Sequence, residues 1–214
     1  MKLEAIGSAV WVAKKRYAMS MISFKGVYLN PPKLKLQGID AVRSSTPKVC
    51  RDAIEEAIPL IIGGKEKELK VFVNDLQNKF NKLKFHEVAF PRGTNDLEKY
   101  ADKDVIYGKK TPPHVRGALL YNHIVKEKKL TNELPLIRSG DKIRFCYMKL
   151  PNPLRENIFA CPDELPEELG MAEFIDYQTQ FEKTFLEPLQ HIIRAAGIRL
   201  TNDVDISQFF VKES

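Results

Sequence analysis

The sequence predicts an α+β protein, in which a short antiparallel β-meander at Met1–Leu36 precedes a mainly helical region carrying a small β element near Ile143. Three observations predict it. The first stretch holds β-rich runs broken by turn residues, apolar residues then recur at steps of three and four over two long segments, and residues 142–150 alternate in polarity.

In chain order, Ala9–Val12 and Tyr17–Phe24 are β-rich, Lys25-Gly26 is a turn signal, and Val27–Leu29 with Lys33–Leu36 continue extended. A helix is predicted from Thr46-Pro47, a cap residue followed by a proline at the first helical position, where its missing N–H is no loss. Gly63-Gly64 ends it, and Pro59 in its last turn is expected to bend or shorten it. Leu69, Phe72, Val73, Leu76, Phe80 and Leu83 make Lys65–Leu83 a second amphipathic helix, so the two form a helical hairpin. Phe90–Thr111 loses helical period and reads as a long irregular connection. Pro112–Lys126 reads as a helix opened by a proline pair. Lys142–Leu150 reads as a strand with Ile143, Phe145 and Tyr147 on one face and Arg144 and Cys146 on the other. A last, long helix is expected over Glu167–Ala196, with an apolar stripe of Ile175, Phe181, Phe185, Leu189, Ile192 and Ile193 and a C-cap glycine at Gly197. Leu200–Ser214 is polar except for one small cluster.

A chain of 214 residues with 43% hydrophobic content can bury a core in one domain or two small ones. No apolar run approaches the roughly 20 residues that cross a bilayer, and Met1–Gly7 lacks the layout of a signal peptide. A cytosolic protein with no membrane partner is expected. Cys50, Cys146 and Cys161 are widely separated and form no CxxC pair, so they read as reduced thiols. The net charge of +6 hides an asymmetry: Lys and Arg outnumber Asp and Glu nine to two in residues 1–48, whereas residues 161–214 carry four against 11. A basic N-terminal end suits a polyanion, because each cation set against a phosphate releases condensed counterions. Surface charge serving solubility is the competing reading.

No internal repeat or catalytic signature emerges. Gly108-Lys109-Lys110-Thr111 fails as a phosphate-binding loop, since Lys103 stands where the first glycine is required and Lys110 separates lysine from threonine. His86, His114, His123 and His191 lack the spacing of a metal site. Asp102-Lys103-Asp104 and Asp203-Val204-Asp205 sit in polar loop sequence with no strand to rigidify a metal. No metal site is expected in this chain.

Lys14-Lys15-Arg16-Tyr17 concentrates charge inside a β-rich segment. Read as a strand, it sends Lys14 and Arg16 to one face and Lys15 and Tyr17 to the other. One face can then meet nucleic acid, whose phosphates and minor-groove acceptors satisfy adjacent cations. An edge strand blunted by lysines is the alternative.

These residues carry a resemblance. "KKRYA" at Lys14–Ala18, "PPKLKLQG" at Pro31–Gly38 and "RSSTPK" at Arg43–Lys48 resemble the end of the palm and the start of the thumb of family B DNA polymerases of the tailed-phage type. "FPRGTNDLEKY" at Phe90–Tyr100, "TPPHVRGALLYN" at Thr111–Asn122, "GDKIRFCYMKL" at Gly140–Leu150 and "FEKTFLEPL" at Phe181–Leu189 continue it in order along nearly the whole chain. The resemblance implies a palm-derived β segment at residues 1–42, a polymerase thumb at 43–199 and a clamp-binding tail at 200–214. It gives Lys14, Lys15, Arg16 and Tyr17 the role of gripping primer–template in the minor groove. By position it places Arg43, Ser44, Ser45, Thr46, Lys48, Arg92, Gly93, His114 and Arg116 on the duplex. Ile206, Phe209 and Phe210 then dock on a sliding clamp; folding back of this cluster onto the thumb is the alternative.

The departures from the family also matter. The sequence contains no Tyr-x-Asp-Thr-Asp-Ser and no Ser-Leu-Tyr-Pro-Ser stretch, the motifs whose aspartates hold two metal ions in the family. The expectation is a chain inactive alone, completed in trans by a larger chain that carries palm, fingers and exonuclease and binds Mg²⁺, as in a split polymerase of a phage acting in the host cytoplasm. A truncated gene gives the same sequence. A second function class stays open: a non-enzymatic module, derived from a thumb, that binds duplex DNA or the clamp.

Overall fold

The computed structural model describes residues 4–102 and 104–198 and is of the α+β class. Its contacts divide these residues into two compact units, 4–80 with 181–198, and 81–180. The boundary expected after residue 42 falls inside the first unit, and the expected tail at 200–214 lies outside the described residues.

The first unit opens with β1 (Ala5–Ala13), β2 (Arg16–Phe24) and β3 (Val27–Gln37), an antiparallel sheet in that order. Both turns have two residues, since Ala13 pairs with Arg16 and Phe24 with Val27. Lys25 and Gly26 both take positive φ, 50° and 83°, the backbone that matches the twist of the flanking strands. Pro31 and Pro32 give β3 no ladder donors, and β3 is accordingly an edge strand. Val10 and Ala18 face each other across β1 and β2, are buried, and mark the face covered by helices.

Those helices are α1 (Lys48–Ile62), which meets β1 and β2, and α7 (Glu187–Ala195), which meets β1. Cys50, Ala53, Ile54, Ala57, Ile58 and Ile61 form the buried stripe of α1. Pro47 is its cap residue rather than its first helical residue, and Thr46 makes no cap bond there. Pro59 removes one helical hydrogen bond, yet the helix runs on to Ile62 because Ile58 and Ile61 on either side of it are anchored in the core. α2 (Glu66–Phe80) buries Leu69, Val73 and Phe80 and ends three residues earlier than the periodicity predicts. Phe80 packs edge-on against Phe181, with ring centroids 5.1 Å apart, and Phe181 in turn against Phe185. Truncating a ring at the centre of such a chain costs about 3–5 kcal/mol.

The single long helix expected at Glu167–Ala196 is broken. Short 3₁₀ turns at Glu167–Leu169 and Ala172–Phe174 precede α6 (Tyr177–Phe181), a π-helical turn at Glu182–Leu186, and α7. Two causes are visible. The backbone at 174–176 is taken by other chain segments, as Lys149 N–H donates to the Phe174 carbonyl at 2.7 Å and Asp176 N–H to that of Tyr147 at 3.0 Å. Pro188 lacks an N–H and its ring crowds the carbonyl four residues back, a conflict that the widened π turn before it relieves.

The second unit holds a sheet of β4 (Phe90–Gly93), β7 (Lys142–Tyr147) and β8 (Ile158–Cys161) in the order β4-β7-β8. α5 (Pro113–Glu127) packs across β8, and the contact is close: a Cβ on Gly117 would lie 2.9 Å from the Ala160 nitrogen. Cys146 is as buried as Phe145, so both faces of β7 are covered at that end, while Arg144 on the Cys146 face stays partly exposed and pairs with Asp163. The segment expected to be irregular contains α3 (Phe85–Val88) at its approach, β4, α4 (Leu97–Tyr100) and a hairpin of β5 (Ala101–Asp102) and β6 (Ile106–Tyr107). Elements of two to four residues are too short to leave a period in sequence. Buried Thr94 fixes the segment, its hydroxyl lying 3.0 Å from the carbonyls of both Arg138 and Asp141 and sharing its one proton between them. Among the described residues no helix is long and apolar enough to cross a membrane.

Candidate nucleic-acid interface

Lys14 and Lys15 are not in a strand. They are the two residues of the β1–β2 turn, and β2 begins at Arg16. The alternation expected of Lys14 to Tyr17 is therefore replaced by a tip: both lysines are exposed and neither forms an ion pair among the described residues. Lys15 takes φ +62°, a left-handed backbone that side chains other than glycine adopt at a cost.

The tip is braced from the far end of β3. Gly38, itself at φ +65°, sits against the carbonyl of Lys15. Its own carbonyl accepts from Arg16 Nε at 3.2 Å and from Arg43 Nη2 at 3.4 Å. Asp40 then holds the same two arginines, its Oδ2 lying 3.5 Å from Arg16 Nη2 and its Oδ1 3.1 Å from Arg43 Nη1. The structure thus brings Lys14, Lys15, Arg16 and Arg43 together. Tyr17 packs on Trp11, with centroids 4.7 Å apart and the rings tilted by 42°.

The neighbouring candidates separate by exposure. Ser44 is exposed and Ser45 half-buried. Thr46 is only 6% exposed, which removes it as a surface contact: the apolar stripe of α1 pulls the residues just before the helix into the core. Lys48 is exposed and pairs with Asp52 at 2.6 Å, one helical turn on.

In the second unit, Arg92 and Gly93 end the edge strand β4. Arg92 lies over the Phe90 ring at 5.5 Å and donates from Nη1 to the Pro91 carbonyl at 3.0 Å. His114, in the first turn of α5, faces Phe145. Burial, reinforced by the positive charge of Arg92, holds its imidazole below the usual histidine range, so it is neutral at pH 7. Arg116 is committed elsewhere: Nη2 donates to Asn157 Oδ1 at 2.7 Å, Nε lies 3.9 Å from Glu156 Oε2, and the guanidinium stands 5.8 Å from the Tyr107 ring. Tyr107 also donates to Glu156. Arg116 therefore ties β6 to the loop before β8, a bracing role in place of the expected open contact.

Sequence reasoning missed Trp11, Gly38 and Asp40. Trp11 left no signal, because a two-residue turn at Lys14-Lys15 by itself sets residue 12 opposite residue 17, and only the register shift between Trp11 and Ala13 brings Trp11 opposite Tyr17. Ile206, Phe209 and Phe210 lie outside the described residues. Among the described residues no three His, Cys, Asp or Glu side chains gather as a metal site. Asp102 instead accepts from the backbone of Asp104 and Val105, closing its own turn.

The chain is similar to a portion of phage DNA-directed DNA polymerases, in agreement with the family B resemblance of its segments. It is 31% identical over 192 residues to the DNA-directed DNA polymerase of Enterobacteria phage T4, covering 88% of this chain and 21% of that protein. It is 28% identical over 204 residues to the DNA-directed DNA polymerase of Escherichia phage RB69, covering 94% of this chain and 22% of the relative. The chain thus spans about a fifth of the length of these relatives. No protein-family model matches the chain.

Proposed function

We propose that this chain is the palm-end and thumb portion of a DNA-directed DNA polymerase, that it grips primer–template duplex, and that a larger polymerase chain supplies the catalytic aspartates and Mg²⁺. The observation that carries this reading is the braced tip: Lys14 and Lys15 stand exposed on a turn held by Gly38, beside Arg16 and Arg43 on Asp40. Similarity to two phage polymerases over about nine-tenths of the chain supports it.

Two lysines that have no carboxylate partner among the described residues can replace counterions at phosphates. Minor-groove acceptors are nearly alike for all correct base pairs, so such a grip senses duplex shape rather than sequence. Arg43, Ser44, Ser45, Lys48, Arg92 and Gly93 extend the contact along the backbone, and neutral His114 contributes hydrogen bonding. Ile206, Phe209 and Phe210 dock on a sliding clamp, which raises processivity through effective concentration. The setting is the cytoplasm of a phage-infected cell.

The test is primer extension with the purified chain alone and then with candidate large chains, at fixed low salt. Extension only in the mixture, lost in the double variant Lys14→Ala, Lys15→Ala, supports the proposal. Inactivity in every mixture with salt-sensitive duplex binding retained overturns the enzyme-subunit reading and leaves a duplex-binding module.

A further inference from the structure

We infer that Trp11 belongs to the duplex-binding face, where its indole positions the Tyr17 ring and itself lies against the sugar edges of the minor groove, with Lys33 and Lys35 on the same sheet face toward the phosphates. This rests on the duplex-gripping reading above.

Directly opposed residues of an antiparallel sheet share a face. Trp11 opposes Tyr17, Tyr17 opposes Gln37, Met19 opposes Lys35, and Met21 opposes Lys33. One face of the meander therefore carries an aromatic pair next to the Lys14-Lys15 turn and two lysines in a row along β3. The other face is the one that Val10 and Ala18 bury; on the Trp11 face Met21, away from the Lys14-Lys15 turn, is also buried, so the exposed part is the end next to that turn. Trp11 is 64% exposed, although tryptophan is on average among the more buried residue types.

Charge decides the occupant. From Ala5 to Gln37 the chain has six cations, Lys14, Lys15, Arg16, Lys25, Lys33 and Lys35, and no acidic residue. An apolar protein surface docking on this face would bury cations without partners, at a steep desolvation cost. A duplex supplies phosphates to the lysines and flat sugar and base edges to the rings.

Trp11 is the single tryptophan of the chain, so its emission reports this site alone. The experiment titrates the full chain with labelled primer–template duplex, following duplex anisotropy and tryptophan emission together. The expected result is an emission change that saturates with the anisotropy, and protection of the indole from acrylamide. Trp11→Ala is expected to weaken binding roughly five- to tenfold, the low end of aromatic contacts with nucleic acid. Trp11→Phe restores most of it and leaves the melting temperature unchanged, whereas Trp11→Ala lowers it only by the little that one cross-strand ring contact contributes. Lys35→Ala is expected to reduce the salt slope by about 0.9. Duplex binding with unchanged emission and full affinity in Trp11→Ala overturns the inference and leaves the duplex-gripping reading standing. Absence of duplex binding by the wild-type chain at low salt overturns both.

Discussion

A Cβ on Gly38 would lie 2.5 Å from the carbonyl oxygen of Lys15. That single contact couples the end of β3 to the turn that presents the two lysines, and the glycine is required twice, for the space and for its φ of +65°. Gly38→Ala is therefore expected to destabilise the chain by about 1–3 kcal/mol and to weaken duplex binding by displacing the turn. Urea denaturation and duplex anisotropy measure the two effects, and an unshifted urea midpoint would count against this coupling.

Lys15 offers the complementary experiment. Its left-handed backbone suits glycine, which relieves a strain of about 1 kcal/mol. Lys15→Gly is expected to leave stability unchanged or higher while duplex affinity falls and the salt slope shrinks by about 0.9. Loss of affinity with an unchanged slope would show that Lys15 meets no phosphate.

His114 sets a pH dependence. Its protonation is disfavoured in the native state by burial and by Arg92, so its folded pKa lies below the unfolded value of about 6.5. The unfolded chain then binds more protons in the window just below pH 6.5, and stability falls as pH drops through it. His114→Asn is expected to flatten this part of the stability profile. Urea midpoints between pH 5 and 8 for both proteins check it.

The three thiols, Cys50, Cys146 and Cys161, are free and buried. Burial pushes Cys50 up to about 12 and raises Cys146 and Cys161 as well, so all three are protonated near neutral pH. Ellman's reagent is expected to find almost no reactive thiol in the native chain and all three in denaturant. Fast reaction of one thiol under native conditions would place it at the surface.

Regular elements were legible where their pattern is local. The meander, α1, α2 and α5 follow from turn residues and from apolar spacing that each segment carries within itself. The Lys14-Lys15 turn looks like strand in the sequence because it lacks the glycine or asparagine that usually announces a two-residue turn; Gly38, 23 residues on, braces it instead. The resemblance of ordered segments pointed to the basic tip and to duplex, whereas exposure at single positions was not legible: Thr46 proved buried and Arg116 engaged with Asn157 and Glu156.

By itself the sequence determined the α+β class, the position of the cationic segment and the periodic helices, because charge and hydrophobic period act between near neighbours. The tertiary structure alone decided that Arg16 and Arg43 share the Asp40 carboxylate, that Trp11 lies on an open face beside Tyr17, and that the last helix breaks before Tyr177. Each of these depends on groups far apart in sequence competing for one hydrogen-bond partner or one patch of surface, and that competition is settled only when the chain has packed.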